Sequence, residues 1–209
     1  MLSRRHFVSA STAILITGAT ITAAPCPTLA APAPDGPWSG KLVRAAEQQI
    51  GVTTLYDAAY SKLSYPGGDV PRERGVCTDV IVRAYRDALD LDLQKLVHED
   101  MRRAFSAYPK LWGAKSTDRN IDHRRVPNLR TFFQRRGTAL PVTKEAADYK
   151  PGDVVSQVLP NGLPHIGIVS DRMNSAGDTP LVIHNIGRGT LAEDILFALD
   201  ITGHYRFTG

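Results

Sequence analysis

Apolar side chains recur at helical spacing through the first part of the chain and in short runs through the last part. Between Lys41 and Ile50 they fall at 42, 43, 46 and 50, which predicts a helix closed by Gly51. From Cys77 they fall at 77, 80, 81, 84, 85 and 88, one face of a helix about three turns long. Leu93 to Tyr108 reads as a further helix stopped by Pro109. Asn128 to Arg136 reads as a short one closed by Gly137. The segment from Thr53 to Arg74 shows no period, and Asp118 to Pro127 is polar and reads as a loop. After residue 150 the pattern changes. Val154–Val158, Ile166–Ser170 and Leu181–Asn185 are short β-branched runs, separated by the turn-forming stretches 161–164 and 174–178. Ile195–Leu199 and His204–Phe207 are further strand candidates. Helices followed by a meander of antiparallel strands predict an α+β domain.

The N-terminus carries a different pattern. Residues 1–30 hold Arg4 and Arg5 and no acid, then a small and apolar stretch to Ala24, then Thr28-Leu29-Ala30. This is the layout of an export signal, and the paired arginines before Phe7-Val8 give it the twin-arginine form. Residues 31–40 read as a Pro/Gly linker and 41–209 as one domain. The expected location is periplasmic or extracellular, with no membrane attachment once the signal is removed. Outside this segment no apolar run approaches the roughly 20 residues of a spanning helix.

Removing residues 1–30 changes the charge and cysteine arithmetic. Without Arg4 and Arg5 the 25 Lys and Arg become 23 against 21 Asp and Glu, a net charge of +2 rather than +4. That excess is too mild to argue for nucleic acid. Of two cysteines, Cys26 leaves and Cys77 remains, a lone thiol bound for an oxidising compartment. Burial or chemistry must account for it.

Cys77 opens its predicted helix after Arg74-Gly75-Val76. The unpaired N–H groups and partial positive charge of a helix start favour thiolate over thiol, and the same amides can hold an oxyanion. A cysteine nucleophile also needs an imidazole and a group that orients it. His165 stands at the start of one predicted strand, and His184 near the end of the next, followed by Asn185. His165 is the expected base and His184 the expected orienter, with Asn185 and His123 as alternatives. His123, His165 and His184 are also of the right type for zinc. The chain holds neither HExxH nor a close His-x-His pair, so no metal and no other cofactor is expected.

These residues carry a resemblance. Cys77 at a helix start, Pro151-Gly152-Asp153-Val154-Val155, His165-Ile166-Gly167-Ile168-Val169 and Ile183-His184 resemble the motif skeleton of the NlpC-type cysteine peptidases of bacterial cell walls, which are papain-like and related to the CHAP amidases. From about Ile50 the chain more closely resembles a bacterial family, the YijF-like proteins. The matching phrases are Tyr65-Pro66-Gly67-Gly68-Asp69-Val70-Pro71, Gly75-Val76-Cys77-Thr78-Asp79 and the stretch from Asn120 to Asn128.

The NlpC resemblance implies a papain-like fold, with the Cys77 helix packed on a C-terminal antiparallel sheet, and a hydrolase of peptidoglycan peptides; a monomer is expected. Two features depart from it. Val76-Cys77-Thr78-Asp79 stands where that group has Asp-Cys-Ser-Gly, and Leu93 to Pro127 reads as an insertion. Candidate substrate-binding residues are Asp79, Tyr65 (with Tyr56 and Tyr60 as further cleft walls) and one cation among Arg72, Arg74, Arg124 and Arg125. Arg125 is favoured because Val126-Pro127 stiffens the chain beyond it. The alternatives to a cysteine hydrolase are a non-catalytic module that binds wall peptide on the same scaffold, and a metal-dependent hydrolase.

Overall fold

The computed structural model describes residues 36–209, so the expected export signal and most of the linker lie outside the described residues. Helix α1 runs Pro37–Glu47, starting inside the expected linker because Pro37 occupies its first turn, where a missing N–H costs nothing. Helix α2 runs Cys77–Leu89, as its period predicts. Its start is fixed by Asp79, whose Oδ2 accepts the Val76 N–H at 2.7 Å. It ends with Asp90 in the left-handed region at φ 56°. Helix α3 (Leu93–Arg103) is shorter than expected, and a separate 3-10 turn spans Phe105–Ala107. Helix α4 (Val126–Arg136) begins two residues early, with Pro127 in its first turn, and the preceding polar segment folds into a 3-10 turn at Asp122–Arg124.

Strands β1 (Leu55–Tyr56) and β2 (Arg74–Gly75) form a small parallel pair that the aperiodic sequence does not announce. The main sheet holds β3 (Thr138–Leu140), β4 (Val154–Val158), β5 (Pro164–Met173), β6 (Pro180–Asn185), β7 (Thr190–Glu193) and β8 (Asp200–Arg206). Their order is β3-β8-β4-β5-β6-β7, and every pairing is antiparallel. The expected strand at 195–199 is absent. Its place at the sheet edge is taken by β7, and Leu196 is instead buried against the far face.

Alternation along the strands divides the core. Val154, Ile166, Ile168 and Ile183 pack under α1, α2, α3 and α4 with Leu42, Ile81, Val97 and Phe133. Val155, Val169 and Val182 face the other way, into a smaller cluster with Tyr149 and Leu196. With both faces covered, the strands read as nearly continuous apolar runs. The result is an α+β fold with the cysteine-bearing helix laid on an antiparallel sheet.

Candidate active site

Cys77 lies at the first position of α2, and its approach is held from several sides. Arg83, one and a half turns further along α2 and fully buried, grips Asp69 at 2.9 and 3.0 Å and the carbonyls of Val70 and Arg74. It thereby ties the segment leading to Cys77 back onto the helix. Gly75 is needed there, since a Cβ would lie 3.0 Å from Asp79 and 3.2 Å from Arg83. Asn185 Nδ2 donates to the Gly75 carbonyl at 3.1 Å and so fixes this corner to the end of β6.

The sulfur is buried among apolar neighbours. Burial pushes the Cys77 thiol up to about 12; the Ile166 N–H opposes this, the Asp79 carboxylate reinforces it, and the N–H groups of Thr78 and Cys77 again oppose it. The expectation of a thiolate favoured by the helix start is therefore reversed in the resting structure. Desolvation outweighs the amides, and a carboxylate two residues away disfavours a second negative charge.

Cys77 and His165 line one cleft of about 390 Å³. His165 is buried, its Nε2 has no hydrogen-bond partner, and burial together with His184 pushes its imidazole down to about 3. His184 meets it edge to face, with ring centroids 5.0 Å apart. This meeting requires Gly167, where a Cβ would come within 2.4 Å of Val182 Cγ1 and 3.3 Å of His184 Cβ. Behind His184 stands Glu193 of β7, with Oε2 at 3.2 Å from Nε2 and Oε1 at 2.7 Å from Arg188 Nη2. Burial pushes His184 down to about 4, with Glu193 opposing and Arg188 reinforcing the shift. Histidine, histidine and carboxylate thus run across β5, β6 and β7. Glu193 is missed by sequence reasoning, because Thr190–Glu193 lacks the β-branched run that marks a strand.

Two of the expected substrate residues are placed elsewhere. Asp79 is buried, and its carboxylate accepts the Val76 N–H and both Arg124 Nε and Nη2 at 2.9 Å. It is committed to holding the helix start and Arg124, and is not open to a ligand. Tyr65 does not line the cleft. Its ring packs edge to face on His98 at 5.3 Å with Arg119 at 5.6 Å, because the turn that follows it is tied to α3 through Asp92 and Gln94. Tyr56 lines the cleft instead, and its phenol is pushed up by burial and by Cys77 and Asp79, with Arg124 opposing. Arg125 does line the cleft, together with Trp112. His123 is buried away from it, where burial and Arg124 push the ring down to about 3. Among the described residues no three His, Cys, Asp or Glu side chains are grouped to hold a metal ion.

A helix-borne cysteine laid on an antiparallel sheet, with His165 of β5 at the same cleft, defines the class as an α+β protein. Residues 43–207 match the family described as Domain of unknown function (DUF1287), and the chain belongs to that family. It is 58% identical over 162 residues to the Escherichia coli (strain K12) protein described as uncharacterized protein YijF, covering 78% of each chain. Among solved structures it is similar to an N-acetylmuramoyl-L-alanine amidase from Bacteroides uniformis, with a TM-score of 0.50 and 11% identity, over 82% of this chain and 99% of that one. It is also similar to the NlpC/p60 domain of the peptidoglycan hydrolase SagA, with a TM-score of 0.41 and 15% identity, over 81% and 98%. At 11% identity the amidase structure bears on the fold alone.

Proposed function

We propose that the protein is an exported cysteine hydrolase that cleaves amide bonds in peptidoglycan peptides. The observation that carries this reading is the shared cleft of Cys77 and His165, backed by His184 and Glu193. A fold in common with a solved N-acetylmuramoyl-L-alanine amidase supports the substrate class.

In this mechanism the sulfur attacks the carbonyl carbon as His165 takes the thiol proton, and the Cys77 N–H holds part of the developing oxyanion. The imidazolium then protonates the leaving amine as the C–N bond breaks, leaving a thioester on Cys77. His165 next removes a proton from water, which attacks the thioester, and the acid leaves as the thiol regains its proton. His184 orients His165, and Glu193 orients His184. Thiol and imidazole are both neutral at rest, so charge separation accompanies attack.

The export step belongs to Arg4 and Arg5, and replacing both with lysine should leave the protein in the cytoplasm. The main test is incubation of purified protein with peptidoglycan, wild type beside Cys77→Ser. Wild type should release soluble peptide and the variant should not. Equal release by both sinks the cysteine mechanism.

The burial of the sulfur favours one second reading, a module that binds wall peptide without cutting it. Equal binding by wild type and Cys77→Ser with no release from either would establish it.

A further inference from the structure

Among the described residues the cleft beside Cys77 is lined by apolar side chains, Tyr56, Cys77, His165, Asn161, Asn185 and two arginines, and by no aspartate or glutamate. A site of this composition has no counter-charge for a ligand ammonium group. Its two cations differ in what they are free to do. The Arg124 guanidinium is spent on Asp79 and on the carbonyls of Asp57 and Ala59. Arg125 has no acidic partner among the described residues, and its Cζ lies 4.4 Å over the Trp112 ring. Stacking satisfies the face of a guanidinium and leaves its N–H edge directed outward, the edge that binds a carboxylate with two parallel hydrogen bonds.

Arg125 is anchored through its backbone. The Arg125 carbonyl accepts the Asn128 and Leu129 N–H groups at the start of α4. The residue before it is locked to Asp79, two positions from Cys77, so the distance from Arg125 to the sulfur is referenced to the first turn of α2. Trp112 is 60% exposed and holds a left-handed backbone at φ 57°, uncommon for an aromatic residue. A large exposed indole kept in a costly conformation over an unpaired guanidinium is a built feature.

We infer that Arg125 stacked on Trp112 is a carboxylate-binding subsite, and that the cleft selects peptides by a free carboxylate and not by a free amine. The inference deepens the proposed function and rests on it for the identity of the ligand as a peptide.

The test is calorimetric titration of the full chain carrying Cys77→Ser, which binds without turnover. The probes are a short wall-type peptide with a free C-terminal carboxylate, its C-terminal amide and its N-acetyl form. The acid should bind roughly ten- to a hundredfold tighter than the amide, as expected of one bidentate charged contact, and N-acetylation should change affinity by less than about threefold. Adding Arg125→Ala should erase the acid–amide difference, and Arg125→Lys should restore part of it. Three results overturn the subsite: no difference between acid and amide (binding of neither included), a difference that survives Arg125→Ala, or a loss on N-acetylation. Failure of the hydrolase reading is seen separately, as absence of peptidoglycan release by the wild type with the acid preference intact.

Discussion

At Cys77 the helix start and the burial of the sulfur push in opposite directions, and burial wins. A free thiol titrates at about 8.5 and is a few per cent thiolate at neutral pH. With Cys77 pushed up to about 12, the resting protein should react with iodoacetamide at pH 7 more slowly than a small-molecule thiol, and the rate should keep climbing well above pH 9. A fast reaction at pH 6–7 would mean that a thiolate–imidazolium pair already exists at rest. The same reasoning ranks the histidines. In the proposed mechanism His165→Ala removes the group that moves protons and should abolish peptide release, whereas His184→Ala removes an orienter and should leave measurable activity. Glu193→Gln should act more mildly still, with its effect concentrated in the pH profile, because it changes the charge beside His184 and leaves the ring in place. Wild-type activity in His184→Ala would move the orienting role to another residue.

The path from Cys77 to Glu193 depends on how elements meet. α2 supplies the cysteine, β5 His165, β6 His184 and β7 Glu193, and the antiparallel order β5-β6-β7 puts the last three in line. The line is possible because β5 carries glycine at 167, where a Cβ would collide with β6. Gly167→Ala would place a Cβ 2.4 Å from Val182 Cγ1 and 3.0 Å from the Ile183 carbonyl, in a fully packed region. The cost should be about 1–3 kcal/mol, read as a lowered denaturation midpoint, with activity falling further than stability as His184 is displaced from His165. A midpoint equal to wild type would show that β6 gives way freely. Arg83 does comparable work for the approach to Cys77, as a buried cation whose fork joins α2 to the loop ahead of it.

On the scale of the whole molecule, three histidines are buried neutral: His123 and His165 pushed down to about 3 and His184 to about 4. Each titrates near 6.5 when unfolded. A group whose folded value is depressed gives stability that is present above the unfolded value and lost as pH falls toward the folded one. The window therefore runs from pH 6.5 down to about 3 for His123 and His165 and to about 4 for His184, and each contributes up to about 1.4 kcal/mol per pH unit within its own window. His123 tests this cleanly because it lies outside the cleft, facing Arg124, Asp92, Arg86 and Asp69. His123→Gln should flatten the fall in stability between pH 6 and 4 by about one proton's share relative to wild type. Parallel curves would show that His123 becomes protonated in the folded protein.

Local pattern determined a good part of this protein. The period from Cys77 marked α2 with its cysteine at the start, and β-branched runs marked β4, β5 and β6 with histidines on the last two. Those features report which face of an element is buried, and that face is written in neighbouring residues. The resemblance of the spaced motifs pointed to a Cys77 helix packed on a C-terminal antiparallel sheet, the arrangement that the fold has. What sequence could not decide depends on groups distant along the chain. β7 is only four residues long and carries no β-branched run, so Glu193 acquires its place only when β6 accepts it as an edge neighbour. Asp79 and Tyr65 looked available to a ligand until Arg124, 45 residues beyond Asp79, and His98, on α3, engaged them. The same pairing of Arg124 with Asp79 is what leaves Arg125 as the cation over Trp112. The charge state of Cys77 followed from neither helix position nor motif, because desolvation is set by everything packed around the sulfur, and only the assembled tertiary structure determines that.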